Sequence, residues 1–257
     1  MKLEVLKPIT TGDYGAVVYS IKDNKQLFSQ NSNMVVPLAS AGKLLIGLAI
    51  AKWVKGGQVL WNTTVPSIFF DPHEDSSIVY PHLQGRESLS LEEAVEVMIA
   101  CHDNAVAKRV VDFLGGWEKI HKKIQEDYPT IHLLANPRDP KNEGSIHDLF
   151  HALMEIYRGY KNSPDIFSPI ITGMVRQQEA IEEIPKQHLA HMTGGLPDFI
   201  LDMGVLGEFT KQPLLYVLVG NQVPNRSKCA ESDQIMENSL RELYRQYKAI
   251  HQMKEMI

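Results

Sequence analysis

Cysteine is scarce. The 257 residues hold two, Cys101 and Cys229, which excludes a disulfide framework, and even one bridge would require the pair to meet in space. Long hydrophobic runs are missing as well: the longest apolar stretch, residues 44–51, is far short of the roughly 20 residues that a membrane-spanning helix needs. There is no basic surplus, because 26 Lys+Arg against 31 Asp+Glu leave a net charge of −5, and a nucleic-acid partner has little support. Glycine (17) and proline (14) stand near their usual share, so no low-complexity body is present. The first twenty residues lack an unbroken apolar core followed by a small-residue cleavage site. A cytoplasmic location is therefore expected, unless an export signal precedes residue 1. What remains is an ordinary globular composition, 44% apolar and 22% charged, with ten methionines and ten histidines, long enough for one large or two modest domains.

Residues 14–21 and 26–30 are rich in β-branched and aromatic side chains and flank the turn Lys22-Asp-Asn-Lys25, which predicts a β-hairpin. A helix is expected from Ser40 to about Lys55, apolar on more than one side and hence buried, with Gly56-Gly57 as its stop. Residues 58–87 read as loop. Ser90-Leu-Glu-Glu93 reads as a capping box for a helix to about Ala100. Further helices are expected over 104–114, 117–127, 145–159 and 163–175, with a proline-rich loop over 129–144. From Gln187 the period changes: strands are expected over 187–193, 199–206 and 214–220, with Gly-Gly-Leu-Pro and Thr-Lys-Gln-Pro as turns, and a last amphipathic helix over 231–250. Strands, a block of helices, then strands and a closing helix indicate an α+β fold.

The sharpest chemical feature is Pro37-Leu-Ala-Ser40-Ala-Gly-Lys43 at the start of the buried helix. Three residues apart on a helix, serine and lysine share a face. Serine needs a base to become a nucleophile, and a lysine stripped of water has a lowered pKa that makes its amine available. The same residues also fit an ordinary helix start with a solvated lysine. Cys101-His102-Asp103-Asn104 follows between two helices, and His191-Met192-Thr193-Gly194-Gly195 comes later at a strand edge.

In this order the motifs resemble those of the serine β-lactamase and penicillin-binding D,D-peptidase superfamily, above all the class A β-lactamases, which carry S-x-x-K, then S-D-N, then K-T-G. The resemblance runs over almost the whole chain, and residues 142–159 look like the helix that follows the family's Ω-loop. It implies an antiparallel sheet of about five strands flanked by helices, plus an all-helical domain. Residues 1–39 and 186–257 would form the sheet domain and 40–185 the helical one, with the active site at their junction. It further implies a serine hydrolase that acts through acyl-Ser40 on a β-lactam or a related amide or ester, without cofactor or metal. Its partner would be a small molecule rather than nucleic acid or membrane, and the chain would be a monomer or weak homodimer. The alternative is a fold-retaining relative with degraded chemistry and a binding or structural role.

By that resemblance Ser40 is the nucleophile, Lys43 the base or proton relay, and Asn104 a hydrogen-bonding partner of both substrate and Lys43. The backbone N–H groups of Ser40 and Gly195 form the oxyanion hole, and Thr193 and Gly194 contact substrate. Three departures stand out. His102 replaces the serine of the second motif and is a candidate for its proton relay. Met192 replaces the lysine of the third, removing a cation, and His191 beside it should point to the opposite face of the strand. The loop over 135–142 is about ten residues shorter than the family's Ω-loop, so Asp139 and Asn142 are the candidates for a vestigial deacylation region. Separately, His147 and His151 have metal-ligand spacing, yet a structural role is expected for both. Cys101 reads as core. Few residues precede the first strand, leaving little room for an N-terminal helix there.

Overall fold

The computed structural model describes residues 12–252. The chain opens with the hairpin β1 (Asp13–Ser20) and β2 (Lys25–Gln30), then β3 (Val35–Pro37), and enters helix α1 (Gly42–Lys55) through a single 3-10 turn at Ala39–Ala41. There follow β4 (Thr64–Pro66), α2 (Ser76–Val79), β5 (Ser88–Ser90), α3 (Leu91–Ala100), α4 (Asn104–Phe113), α5 (Trp117–Gln125), β6 (Glu143–Ser145), α6 (Ile146–Asn162) and α7 (Pro164–Val175). The chain then returns to the sheet with β7 (Leu189–Leu196), β8 (Phe199–Leu206) and β9 (Leu214–Asn221), and ends in α8 (Glu231–Gln252). The five long strands make one antiparallel sheet in the order β2-β1-β9-β8-β7, joining both ends of the described chain. The fold is the α+β architecture that the sequence suggested.

The sheet separates two apolar layers. On one face Val17, Met192, Leu201, Met203 and Val217 join the core built by α1, α3, α4, α6 and α7. On the other, Ala16, Val18, Tyr216 and Leu218 meet Leu240, Leu243 and Tyr247 of α8. Covering on both sides explains why β8 is buried at every position and, apart from Asp202 and Gly204, is apolar on both faces rather than alternating. Helix α1 lies inside the helical layer, with every residue from Gly42 to Ala51 buried. Such a helix has no polar face, and Gly47 leaves room for Ile170 and Ile99, either of which a Cβ would meet within 3.3 Å.

Several local expectations need correction. Gly194, Gly195 and Leu196 are not a turn but the last residues of β7, in register with Leu201, Ile200 and Phe199. Ser40 is not the first residue of an α-helix; it sits in the 3-10 turn ahead of it. The stretches read as loop are not free of structure: the first holds β4, which pairs with β5, and α2, and the second runs into β6, which pairs with β3. The capping box at Ser90 is present, with Ser90 Oγ accepting from Glu93 N–H and the Glu93 carboxylate accepting from Ser90 N–H. Both cysteines are free, Cys101 in the core. The question of an N-terminal helix falls on residues outside those described.

Candidate active site

The turn that carries Ser40 is held between β7 and the loop that precedes α6. Leu38 N–H donates to the Asn142 carbonyl at 2.9 Å, and Gly194 approaches so closely that a Cβ there would lie 3.3 Å from Ala39 Cβ and 3.4 Å from Ser40 N. Ala39 has φ 44°, a left-handed conformation that costs an alanine energy and persists only when its surroundings enforce it. His102, at φ 55°, is held in the same way.

Lys43 is 5% exposed and its Nζ donates to Asn104 Oδ1 at 2.8 Å. Burial lowers its pKa to about 8, against the opposing pull of Glu74 and Asp103. Asp103 is the hub that brings these groups together. It is fully buried, caps α4 by accepting Val106 N–H at 2.9 Å, and accepts Asp71 N–H at 3.0 Å. That second bond draws in the loop over 71–75, whose Glu74 carboxylate accepts from Asn104 Nδ2 at 3.4 Å. Partial burial raises the Glu74 pKa, opposed by Lys43. Glu74 was not among the residues singled out from sequence; the density of acids in Asp71-Pro-His-Glu-Asp75 was the only signal of it.

The other missing residue is Gln177, which follows α7 and belongs to no motif. It is 3% exposed, and its Nε2 donates to the Ile99 carbonyl at 3.1 Å and to Met192 Sδ at 3.5 Å. Its Oε1 accepts Thr193 N–H at 3.4 Å and faces His102 Nε2 at 3.2 Å. Acceptors at one end of the amide and a backbone donor at the other fix which atom is oxygen. His102 Nε2 therefore carries the hydrogen and Nδ1 the lone pair. Burial, with Lys43 nearby, lowers the His102 pKa to about 4, so the ring is neutral at pH 7. Thr193 Oγ1 lies 3.5 Å from the same Nε2. Because N–H groups alternate between the two edges of a strand, the outward Thr193 N–H sends that of Gly195 to the same free edge, away from β8.

Ser40, Lys43, His102, Asn104, Thr193 and Gly194 thus gather at one place. Others do not. Met192 is fully buried in the core below Gln177. His191, 1% exposed, points through the sheet and pairs with Asp202 at 3.1 Å, while Tyr216 OH donates to the same carboxylate at 2.7 Å. Burial works against protonation of His191, but Asp202 and Glu179 outweigh it and raise the pKa. Gly195 keeps its N–H at the free edge, but its Cα faces the far side, where a Cβ would run into Arg226, which pairs with Asp233. Asp139 accepts Lys141 N–H at 2.8 Å within its own turn. Asn142 is 1% exposed and accepts Leu134 N–H at 2.9 Å, shaping the loop from inside. The His147 and His151 rings meet at 4.3 Å on α6, tilted by 53°, and no group of three or more His, Cys, Asp or Glu among the described residues could hold a metal ion.

A family model described as the β-lactamase enzyme family matches residues 4–245. The chain belongs to the β-lactamase enzyme family. Solved structures agree in fold. The structure of PBP-A superimposes with a TM-score of 0.78 at 19% identity, covering 96% of this chain and 94% of that one. A PBP-A mutant in an acyl-enzyme complex with penicillin G gives 0.76 at 20% identity over 93% and 92%. An ancestral class A β-lactamase gives 0.73 at 16% identity over 93% and 95%. No curated protein sequence matches significantly. Set against the motif order given above, Ser40 and Lys43 spell S-x-x-K and Asp103-Asn104 the last two letters of S-D-N, while His102 and Met192 stand at the two changed positions with Gln177 between them.

Proposed function

We propose that this β-lactamase-family protein is a serine hydrolase that forms an acyl-enzyme at Ser40 from a β-lactam or a related amide or ester and releases it slowly. The observation that carries this reading is Lys43: buried, hydrogen-bonded to Asn104 at 2.8 Å, and with a pKa near 8, it is one helical turn from a serine held in a strained turn. The neutral amine takes the Ser40 proton as Oγ bonds to the substrate carbonyl carbon. The resulting oxyanion lies against the backbone N–H groups of Ser40 and Gly195. The carbon–nitrogen or carbon–oxygen bond then breaks, and the proton returns from Lys43 to the departing amine or alcohol. With a pKa near 4, His102 assists by hydrogen bonding instead of shuttling that proton. By this reading the site lies at the junction of a sheet unit, 12–39 with 186–252 among the described residues, and a helical unit, 40–185.

Mass spectrometry after incubation with a penicillin, and separately with a fluorophosphonate, tests the reading. A covalent adduct on Ser40, absent in Ser40→Ala, is expected. If the folded protein takes up neither reagent, the fold serves binding or structure and the hydrolase reading is wrong.

A further inference from the structure

A cavity of about 200 Å³ opens beside Lys43, between α1, α4, α5 and the loop over 133–142. It begins at Ala39, next to Ser40 on its turn, and at Lys43, three residues on in α1. Ile46, Ala107, Trp117, Leu133, Leu134 and Pro137 form most of its wall, and Ile46, Ala107 and Leu133 are themselves buried. The few polar groups there are already engaged: Lys43 donates to Asn104, Asn142 Oδ1 accepts from Leu134 N–H, and Lys108 at the rim pairs with Asp112. No carboxylate among the described residues lines it. An ordered water requires two to four polar partners, and apolar cavities of about 150 Å³ stay dry and hold benzene.

We infer that this cavity is the subsite for an apolar acyl group of about six to eight carbons, so that the site selects medium-chain acyl esters or amides. The inference rests on the hydrolase reading above and names its substrate class. Scaling six carbons in about 150 Å³ to about 200 Å³ gives roughly eight. Each methylene that leaves water on entering such a wall should improve recognition about fourfold. Beyond the cavity's length the gain should stop.

The test is the rate of Ser40 acylation by 4-nitrophenyl esters from acetate to dodecanoate. The rate constant kcat/KM should climb about fourfold per methylene to hexanoate or octanoate and then fall. Ala107→Phe should flatten the climb by filling the cavity, and Leu133→Ala should move the maximum to longer chains. Binding of octanamide to Ser40→Ala, read by the emission of Trp117 against a Trp117→Phe control, asks the same question without chemistry. A flat chain-length profile together with no octanamide binding overturns the subsite. If no reagent acylates Ser40 yet octanamide binds and Ala107→Phe abolishes that binding, the hydrolase reading fails while the apolar pocket stands.

Discussion

Lys43 is where physical chemistry and function meet in a single side chain. In water a lysine amine is protonated up to pH 10.5; here the loss of solvent outweighs the attraction of Glu74 and Asp103, and the pKa falls to about 8. Acylation of Ser40 should therefore rise tenfold per pH unit below 8 and level off above it, because the rate follows the neutral amine. His102, with its pKa near 4, is neutral throughout this range and adds no inflection. The stability consequence has the opposite sense to that of a salt-bridged lysine. Between pH 8 and 10.5 the unfolded chain holds the proton that the folded one has lost, so folding stability increases with pH across that window. Lys43→Met should remove acylation by a factor of about 10² or more and yet raise Tm below pH 8, as a buried ionisable group gives way to an apolar one of similar length. A pH-independent acylation rate, or an unchanged Tm, would count against this account.

At the scale of elements, β7 is the strand on which the site depends, and its glycines are matched to what crosses it. Gly204 of β8 stands opposite His191, and a Cβ there would lie 2.4 Å from the Ala190 carbonyl oxygen and 2.7 Å from His191 Cα. These are backbone atoms and cannot swing aside, so Gly204→Ala should push β7 away from β8. A loss of about 2–3 kcal/mol is expected for such overpacking, seen as a fall in Tm of roughly 5–10 °C for a chain of this length; a wild-type melting curve would refute the argument. The glycines also explain where sequence reading failed. Gly194-Gly195-Leu196-Pro197 has turn composition, yet the glycines are there because the Ser40 turn and Arg226 press on opposite faces of a strand. The hairpin, α1, the capping box at Ser90 and β8 were legible because each is encoded by local period or local hydrogen bonding. Three-residue ribbons such as β3 with β6 have no period to detect. Gln177 and Glu74 escaped notice for a related reason: each acts through partners 15 to 78 residues away, and nothing in their own neighbourhood marks them.

At the scale of the molecule, the sheet needs strands from both ends of the described chain, while the segment inserted between β3 and β7 supplies Lys43 and Asn104 from helices and His102 from the link between α3 and α4. The order of three motifs made the overall arrangement readable, since it constrains distant segments simultaneously. What order could not convey was the lining of the space beside Lys43. Acylation needs Ser40 and Lys43, which the fold keeps together. On the proposed reading, release of the acyl group needs an activated water beside Lys43; on its α5 side the wall is Trp117, Leu133, Leu134 and Pro137, and Asp139 accepts Lys141 N–H within its own turn. No carboxylate among the described residues lines that wall, so the proposed acyl-enzyme has no general base beside it there. Rapid mixing with a chromogenic β-lactam or ester should consequently give a burst approaching one equivalent per protein, followed by a steady rate at least 10²-fold slower. The burst amplitude should be lost in Ser40→Ala, and its rate, not its size, should follow the pH dependence of Lys43. Steady turnover without a burst would mean that deacylation keeps pace with acylation, and that a water reaches the ester by a route other than this apolar wall.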